Sequence, residues 1–353
     1  MRPTQSNSIR GFTLAELLIS MALGAIVLGA AVQMYSKAVD STFTVTQRAE
    51  MQQDVRSVQN IIEKDISLAG SGLPSGGVGL VAGTGTNPKY GCDQAACYIN
   101  LGNGQVFPAN QLYPIIPGRQ LGPTVVAARG ATDVITVAYS DNTFLLNDYT
   151  VTVNGPSGGT VTFTAPAVAP VPAPQAVNSP SVGLQVGDLV LFGAGNAIAE
   201  VTAAVPAGGS PYTVTFANPD ALRINQSVAV SGNLKSQVGV AGLIATRIWV
   251  ITYYIDNTGP TPRLMRQVNG TSPVAVADNV NDMRFTYDTY DANGNLLVAQ
   301  DASATQPVLP NNIRKVNLSL SFHSPLQGNK GYQGFNIQTS ISARNLSFKD
   351  RYN

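Results

Sequence analysis

Glu16 stands where a carboxylate is costly. It lies in "RGFTLAELLIS" at 10–20, at the head of a run from Leu17 to Ser36 that has no charged side chain. In a bilayer a charged carboxylate costs about 2.5–3.5 kcal/mol on insertion scales, somewhat less near a helix end, so its presence needs a reason. Cys92 and Cys97, in "CDQAAC", are placed for a short-loop disulfide in an oxidising compartment. Their spacing is not the C-x-x-C of redox exchange. A zinc site needs further ligands, and the chain has two cysteines and one histidine. "DTYDANGNLLVAQD" at 288–301 has the outline of a calcium loop. With Gly294 at position six, however, Thr289 and Gln300 fall where the two decisive acidic ligands belong. An Asn-Gly hairpin turn accounts for Asp291 and Asn293 with less. His323 lies in an alternating strand with no nucleophile motif near it, and is expected to be a strand residue. "GSGLPSGG" at 70–77 follows a helix, so it offers no helix N-terminus to a phosphate. No enzyme, metal or cofactor is expected from these residues.

The elements that carry these residues follow from composition and pattern. The chain has 353 residues and a net charge of +1, so as a whole it presents no polyanion-binding field. Only 12% of residues are charged, and 34 Gly and 22 Pro punctuate segments rich in Val, Thr, Tyr and Ile. That composition favours a β-rich body. From 302 to 353, Arg314, Lys315, Lys330, Arg344, Lys349 and Arg351 face Asp350 alone. Such a basic edge could touch DNA. Solvated strand faces and edge protection by charge are the commoner explanation.

The N-terminus is different. Leu17–Ser36 is long enough to span roughly 30 Å, the core of a bilayer. Arg2 and Arg10 before it predict a cytoplasmic N-terminus, with the chain after Lys37 on the other side. A cleaved secretory signal would gain nothing from Glu16. Helical patterning also continues past the apolar run. Met51, Val55, Val58, Ile62 and Ile66 share one face, with Arg48, Asp54, Arg56, Glu63, Lys64 and Asp65 on much of the rest. No proline occurs between Thr4 and Pro74. One helix is therefore predicted from Phe12 to Ala69, roughly 85 Å long, ended by Gly70 and Gly72. Its first half would sit in lipid and its second half pack on a domain.

That domain should be antiparallel and β-rich. Strands are expected at 133–140, 159–166, 186–204 (two strands with a Gly-Asn turn) and 247–268 (a hairpin), and at 313–325 and 335–348. Residues 165–181, "APAVAPVPAPQAVNSPS", are expected to form an extended surface loop or linker. The simplest body is one β-domain with long insertions laid on the helix. A split near 184 into two β lobes is the alternative.

"RGFTLAELLISMALGAIVLGAAV" resembles the class III signal of type IV prepilins and type II secretion pseudopilins. The resemblance implies cleavage by a prepilin peptidase between Gly11 and Phe12, N-methylation of Phe12, and an assembly role for Glu16. Phe12 and Glu16 would lie one turn apart on one helix face, and Glu16 would pair with the N-terminal amine of a neighbouring subunit. Many major pilins carry a helix-bending proline where this chain has Gln33, so melting of the helix is not implied. "IIEKDISLAGSGL", "VGDLVLFGAGNAIAEVTAA", "VADNVNDMRFTYDTYDANGN" and "SARN" resemble segments of PilW-like minor pilins. The third of these, at 276–295, would be a short helical turn and a Tyr-Asp strand. The implied organisation is a leader at 1–11, a membrane half-helix at 12–36 and an amphipathic half-helix at 37–70. A periplasmic β-rich domain follows at 71–353, with an insertion at 76–184. The implied partners are the peptidase, the inner membrane, and other minor and major pilins through Leu14, Leu17, Leu18, Met21 and Ile26. The implied role is initiation of type IV pilus assembly, near the tip. A J-type minor pseudopilin and a pilus-displayed adhesin or DNA-uptake subunit are the alternatives.

Overall fold

The computed structural model describes residues 12–74, 76–80, 111–155, 159–168, 170–218, 220–225, 232–303, 305–325 and 331–346. The chain divides into two compact units, Met1–Gln52 with Ser324–Gln333, and Gln53–His323 with Gly334–Asn353. The class is α+β, as expected: one long helix followed by antiparallel sheets.

The helix, α1, runs unbroken from Leu14 to Leu68, 55 residues. Gly24 and Gly29 sit inside it without ending it; two isolated glycines cost only about 1 kcal/mol each against alanine. In the first unit its large apolar side chains, among them Leu14, Leu18, Ile26, Leu28 and Met34, are exposed all round. The most apolar window has a mean hydropathy of 2.1 and none of it is buried. A helix apolar on every side and left uncovered is suited to lipid or to other helices.

In the second unit α1 becomes one-sided. Val55, Val58, Ile62 and Ile66 are buried at spacings of 3, 4 and 4, while Asp54, Arg56 and Lys64 face solvent. Gly70 and Gly72 end it with φ of +81° and +67°. That turn is stitched to the next sheet: Gly70 N donates to Ala138 O at 2.8 Å, and Ser140 N to Ser71 O at 2.7 Å. A Cβ on Gly72 would meet the Ser140 hydroxyl, so both backbone conformation and space demand glycine there.

The strands are β1 (Val78–Gly79), β2 (Gln111–Leu112), β3 (Ile115–Gly118), β4 (Val134–Ser140), β5 (Thr150–Asn154), β6 (Thr160–Thr164), β7 (Leu189–Phe192) and β8 (Ala197–Glu200). They continue as β9 (Tyr212–Thr215), β10 (Ala245–Asp256), β11 (Arg263–Val268), β12 (Val274–Asp278), β13 (Val280–Tyr290), β14 (Leu296–Gln300), β15 (Ile313–His323) and β16 (Gly334–Ser342). The central sheet has the order β12-β11-β10-β4-β3, and β7 and β8 extend it from β10. β10 organises it: its first residues pair with β7, its middle with β4 and its last half with β11. β3 and β4, within residues 115–140, therefore share a sheet with residues 245–278. A second sheet has the order β14-β13-β15-β16, and a third the order β5-β6-β9. β1 and β2 form a separate pair.

The main core lies where the buried face of α1 meets the central and second sheets, with Ile135, Val137, Ile251, Tyr253, Phe285, Val316 and Leu318 at its middle. The third sheet closes another core around Phe163, Phe192 and Val214. One expectation is corrected. No helical turn occurs at 276–295; β12 passes to β13 through Asn279 at φ +58°. Val276 and Val280 are four apart, which suits a helical turn, but one left-handed Asn lets both point inward from strands instead. The described residues of 165–181 form a largely exposed loop without strands, as expected, and it is pinned near its end. Val177 is fully buried in the core closed by the third sheet, and Asn178 Nδ2 donates to Pro206 O and Gly208 O.

Candidate functional site

The start of α1 is built by Thr13. Its side chain and backbone close a capping box with Glu16. Glu16 Oε2 accepts from Thr13 N and from Thr13 Oγ1, both at 3.0 Å, and Glu16 N donates to Thr13 Oγ1 at 3.3 Å. The first helical bond follows, from Leu17 N to Thr13 O at 3.2 Å. Two of the helix's otherwise orphaned donors are satisfied in this way. The carboxylate also sits at the positive end of the helix dipole.

Glu16 has a partner within its own chain, beside any that a neighbouring subunit would offer. One expectation is corrected. Phe12 precedes the first helical residue, Leu14, and so does not share a helical face with Glu16 one turn away. The reason is local: with Thr13 as N-cap, the backbone leaves the helical path before Phe12. The T-x-x-E signal that announces such a cap is present in "FTLAE". Phe12 is 86% exposed, which leaves its ring uncovered. Gly11, the other side of the expected cleavage junction, lies outside the described residues. Leu14, Leu17, Leu18, Met21 and Ile26 are all exposed, and so are Ile19, Leu23, Val27 and Leu28. The uncovered surface is thus the whole circumference and not one stripe.

The remaining candidate residues fall out as follows. Cys92 and Cys97 lie outside the described residues. Asp291 is occupied by its own turn: Oδ1 accepts from Asn293 N at 2.9 Å and from Asn295 N at 2.7 Å, and Oδ2 from Asn295 Nδ2 at 3.0 Å. Gly294 there has φ +80°, as a hairpin loop between β13 and β14 requires. His323 ends β15, with its backbone N donating to Asn279 O. Of the C-terminal basic residues, Arg314 stacks over the Tyr290 ring and donates to Asn311 O and Ile313 O. Lys330, Lys349 and Arg351 lie outside the described residues. Among the described residues, no three His, Cys, Asp or Glu side chains come together.

The structure brings together three polar clusters that pattern alone did not reveal. Asp65, placed by the pattern on the open side of α1, is buried. It accepts from Tyr139 Oη at 2.9 Å, Tyr253 Oη at 2.5 Å and Arg266 Nε at 2.8 Å, tying the helix to β4, β10 and β11. Burial, and then the charge of Asp65, push both phenols above their ordinary pKa. Arg247 is buried between Asp141 and Asp188, under the rings of Phe144 and Trp249. Burial holds Asp188 above the usual carboxylate range. Burial opposes ionisation of Asp141 too, but bonds from Thr143 and Arg247 win and hold it below that range. Glu200 faces Asp220; burial first, then the Asp220 carboxyl, push Glu200 up to about 8. All three clusters are filled by their own chain and have the character of structural fastenings.

Residues 6–32 match the family described as the prokaryotic N-terminal methylation motif. No curated protein and no solved structure matches the chain. The matched segment contains the Gly11–Phe12 junction, the Thr13–Glu16 cap and the first half of the exposed apolar helix. Together they support a prepilin-like precursor, of a pilin or a pseudopilin, whose N-terminal helix is consistent with a membrane anchor. The motif implies processing by prepilin peptidase and assembly with other pilins.

Proposed function

We propose that this chain is the precursor of a PilW-like minor pilin that helps to start type IV pilus assembly near the tip. In this reading the leader 1–11 stays cytoplasmic, residues 12–36 cross the inner membrane, and the β-rich body is periplasmic. Prepilin peptidase cuts between Gly11 and Phe12, Phe12 is methylated, and the chain does no catalysis of its own. The observation that carries the reading is the methylation motif lying on a helix that is uncovered and apolar on all sides, with a carboxylate at its head.

The capping box changes how Glu16 works. In lipid, Thr13 lowers the cost of the carboxylate by giving it two donors. In a filament, the methylated amine of a neighbouring Phe12 would offer the same carboxylate a positive charge, which a hydroxyl cannot match. Transfer from membrane to filament then exchanges a weaker partner for a stronger one. Mass spectrometry of the mature protein is the direct test. A methylated Phe12 at the N-terminus supports the precursor reading, and a start after Ala30 or Ala31 overturns it. Co-purification with other minor pilins in mild detergent tests the initiating role, and their absence would count against it.

A further inference from the structure

The third sheet turns one face inward and leaves the other open. Val151, Val153, Val161, Phe163 and Val214 are buried in the core that it closes. Every outward position on β5, β6 and β9 is threonine except one, Asn154. The register sets these residues in rows. Thr150 opposes Thr164, Thr152 opposes Thr162, and Asn154 opposes Thr160. On the other side of β6, Thr162 opposes Thr213 and Thr160 opposes Thr215. Neither pairing has a register shift. The result is an array whose side chains repeat at about 6.7 Å along a strand and about 4.8 Å across strands.

Threonine suits a strand, so one or two on an outer face need no explanation. An outer face made of little else is different, because such faces usually mix in charged residues. The second sheet does so, with Asp282, Arg284, Asp288 and Lys315 at its corresponding positions. β5, β6 and β9 carry no charge at all. The hydroxyls of the array are also unused. Asn154 Nδ2 donates to Thr162 Oγ1 at 2.7 Å, and among the described residues the other threonine hydroxyls of the face make no hydrogen bond. β-branching restricts χ1, and the buried valine layer beneath fixes the backbone. Groups held in this way lose little freedom when a ligand docks.

The chemistry of the face selects the ligand. Each hydroxyl can both donate and accept, and each methyl beside it offers a small apolar contact. The absence of charge gives no hold on a phosphate, a carboxylate or a cation. Small ligands are held in clefts, whereas an open, repeating array suits a ligand that is itself repeating. Extended β-linked sugar chains repeat in this sense, with C–H groups on the ring faces and hydroxyls along the ring edges. We propose that the open face of the third sheet binds a neutral β-linked polysaccharide, with hydroxyls meeting hydroxyls and methyls meeting ring C–H groups. Such binding requires neither processing of Phe12 nor assembly with other pilins.

The test uses the full-length chain in lipid nanodiscs, with empty nanodiscs as the blank. The protein should be retained on microcrystalline cellulose or on chitin, and the matching soluble hexasaccharide should displace it. Replacing the middle row by Thr152→Val, Thr162→Val and Thr213→Val keeps the branched shape and removes three hydroxyls, and should weaken retention at least tenfold. Thr152→Lys alone, at an exposed position on β5, should weaken it at least threefold and leaves the fold undisturbed should the triple variant fail to fold. Ser319→Ala with Gln338→Ala, on the outer face of the second sheet, should change nothing. Thermal unfolding of each variant reports whether the fold is intact. No retention on either solid, retention that the hexasaccharide does not displace, or retention that survives both the triple and the lysine variant would overturn the proposal. A protein that shaped growing ice crystals and bound neither solid would overturn the choice of ligand.

Discussion

Replacing Asp65 with alanine should unfasten the end of α1 from the central sheet. Asp65 is 2% exposed and accepts three hydrogen bonds, one from the Arg266 guanidinium and two from the phenols of Tyr139 and Tyr253. Its removal leaves two buried hydroxyls without their acceptor, each worth about 1–3 kcal/mol. It also leaves a half-buried guanidinium without its counter-charge, and breaking a buried ion pair from one side costs about 3–5 kcal/mol. These losses overlap, so the expected destabilisation is about 3–5 kcal/mol in total. Asp65→Asn keeps one oxygen acceptor and loses the charge, and should cost roughly half as much. The assay is urea unfolding of the full-length chain in mild detergent, followed by the fluorescence of Trp249, the single tryptophan. A loss below about 1 kcal/mol for Asp65→Ala would refute the view that this carboxylate clamps the helix. The cluster has a pH signature of its own. Both phenols are raised above their ordinary value of about 10. Their contribution is therefore complete below about pH 10 and is lost as pH rises beyond it. Tyr253→Phe should reduce that alkaline loss.

The other predictions concern separate parts of the molecule. Glu200 is raised to about 8 by burial and by Asp220, so its contribution to stability is complete below about pH 4.5 and fades as pH rises through 8. Glu200→Gln should flatten that part of the stability–pH curve, and an unchanged slope would show that the pair does not share a proton. Ile62→Ala empties a fully buried site in the main core and should cost about 2–5 kcal/mol by the same urea assay. Thr13→Val removes the hydroxyl of the N-terminal cap, worth about 1 kcal/mol. Amides at Leu14–Leu17 should then exchange with solvent roughly fivefold faster in detergent, while Thr13→Ser should leave them unchanged.

The sequence by itself determined the helix and most strands because those signals are local. Spacing of Val55, Val58, Ile62 and Ile66 fixes one face, and Gly70 with Gly72 fixes an end. The methylation motif is legible for the same reason, since its leader, junction and apolar run are contiguous. The T-x-x-E cap is equally local, though its apolar neighbourhood makes Glu16 read as a charge in need of an outside partner. Tertiary structure alone decided which polar residues lie inside. Asp65 follows a helical face that looks solvated, and only the arrival of Tyr139, Tyr253 and Arg266, from 74 to 201 residues away in sequence, makes burial tolerable. The same holds for Arg247, whose two carboxylates, Asp141 and Asp188, lie 106 and 59 residues away in sequence. It holds too for β16, whose alternation is plain in the sequence. That it comes last in the order β14-β13-β15-β16 depends on the tertiary fold, which no local pattern encodes.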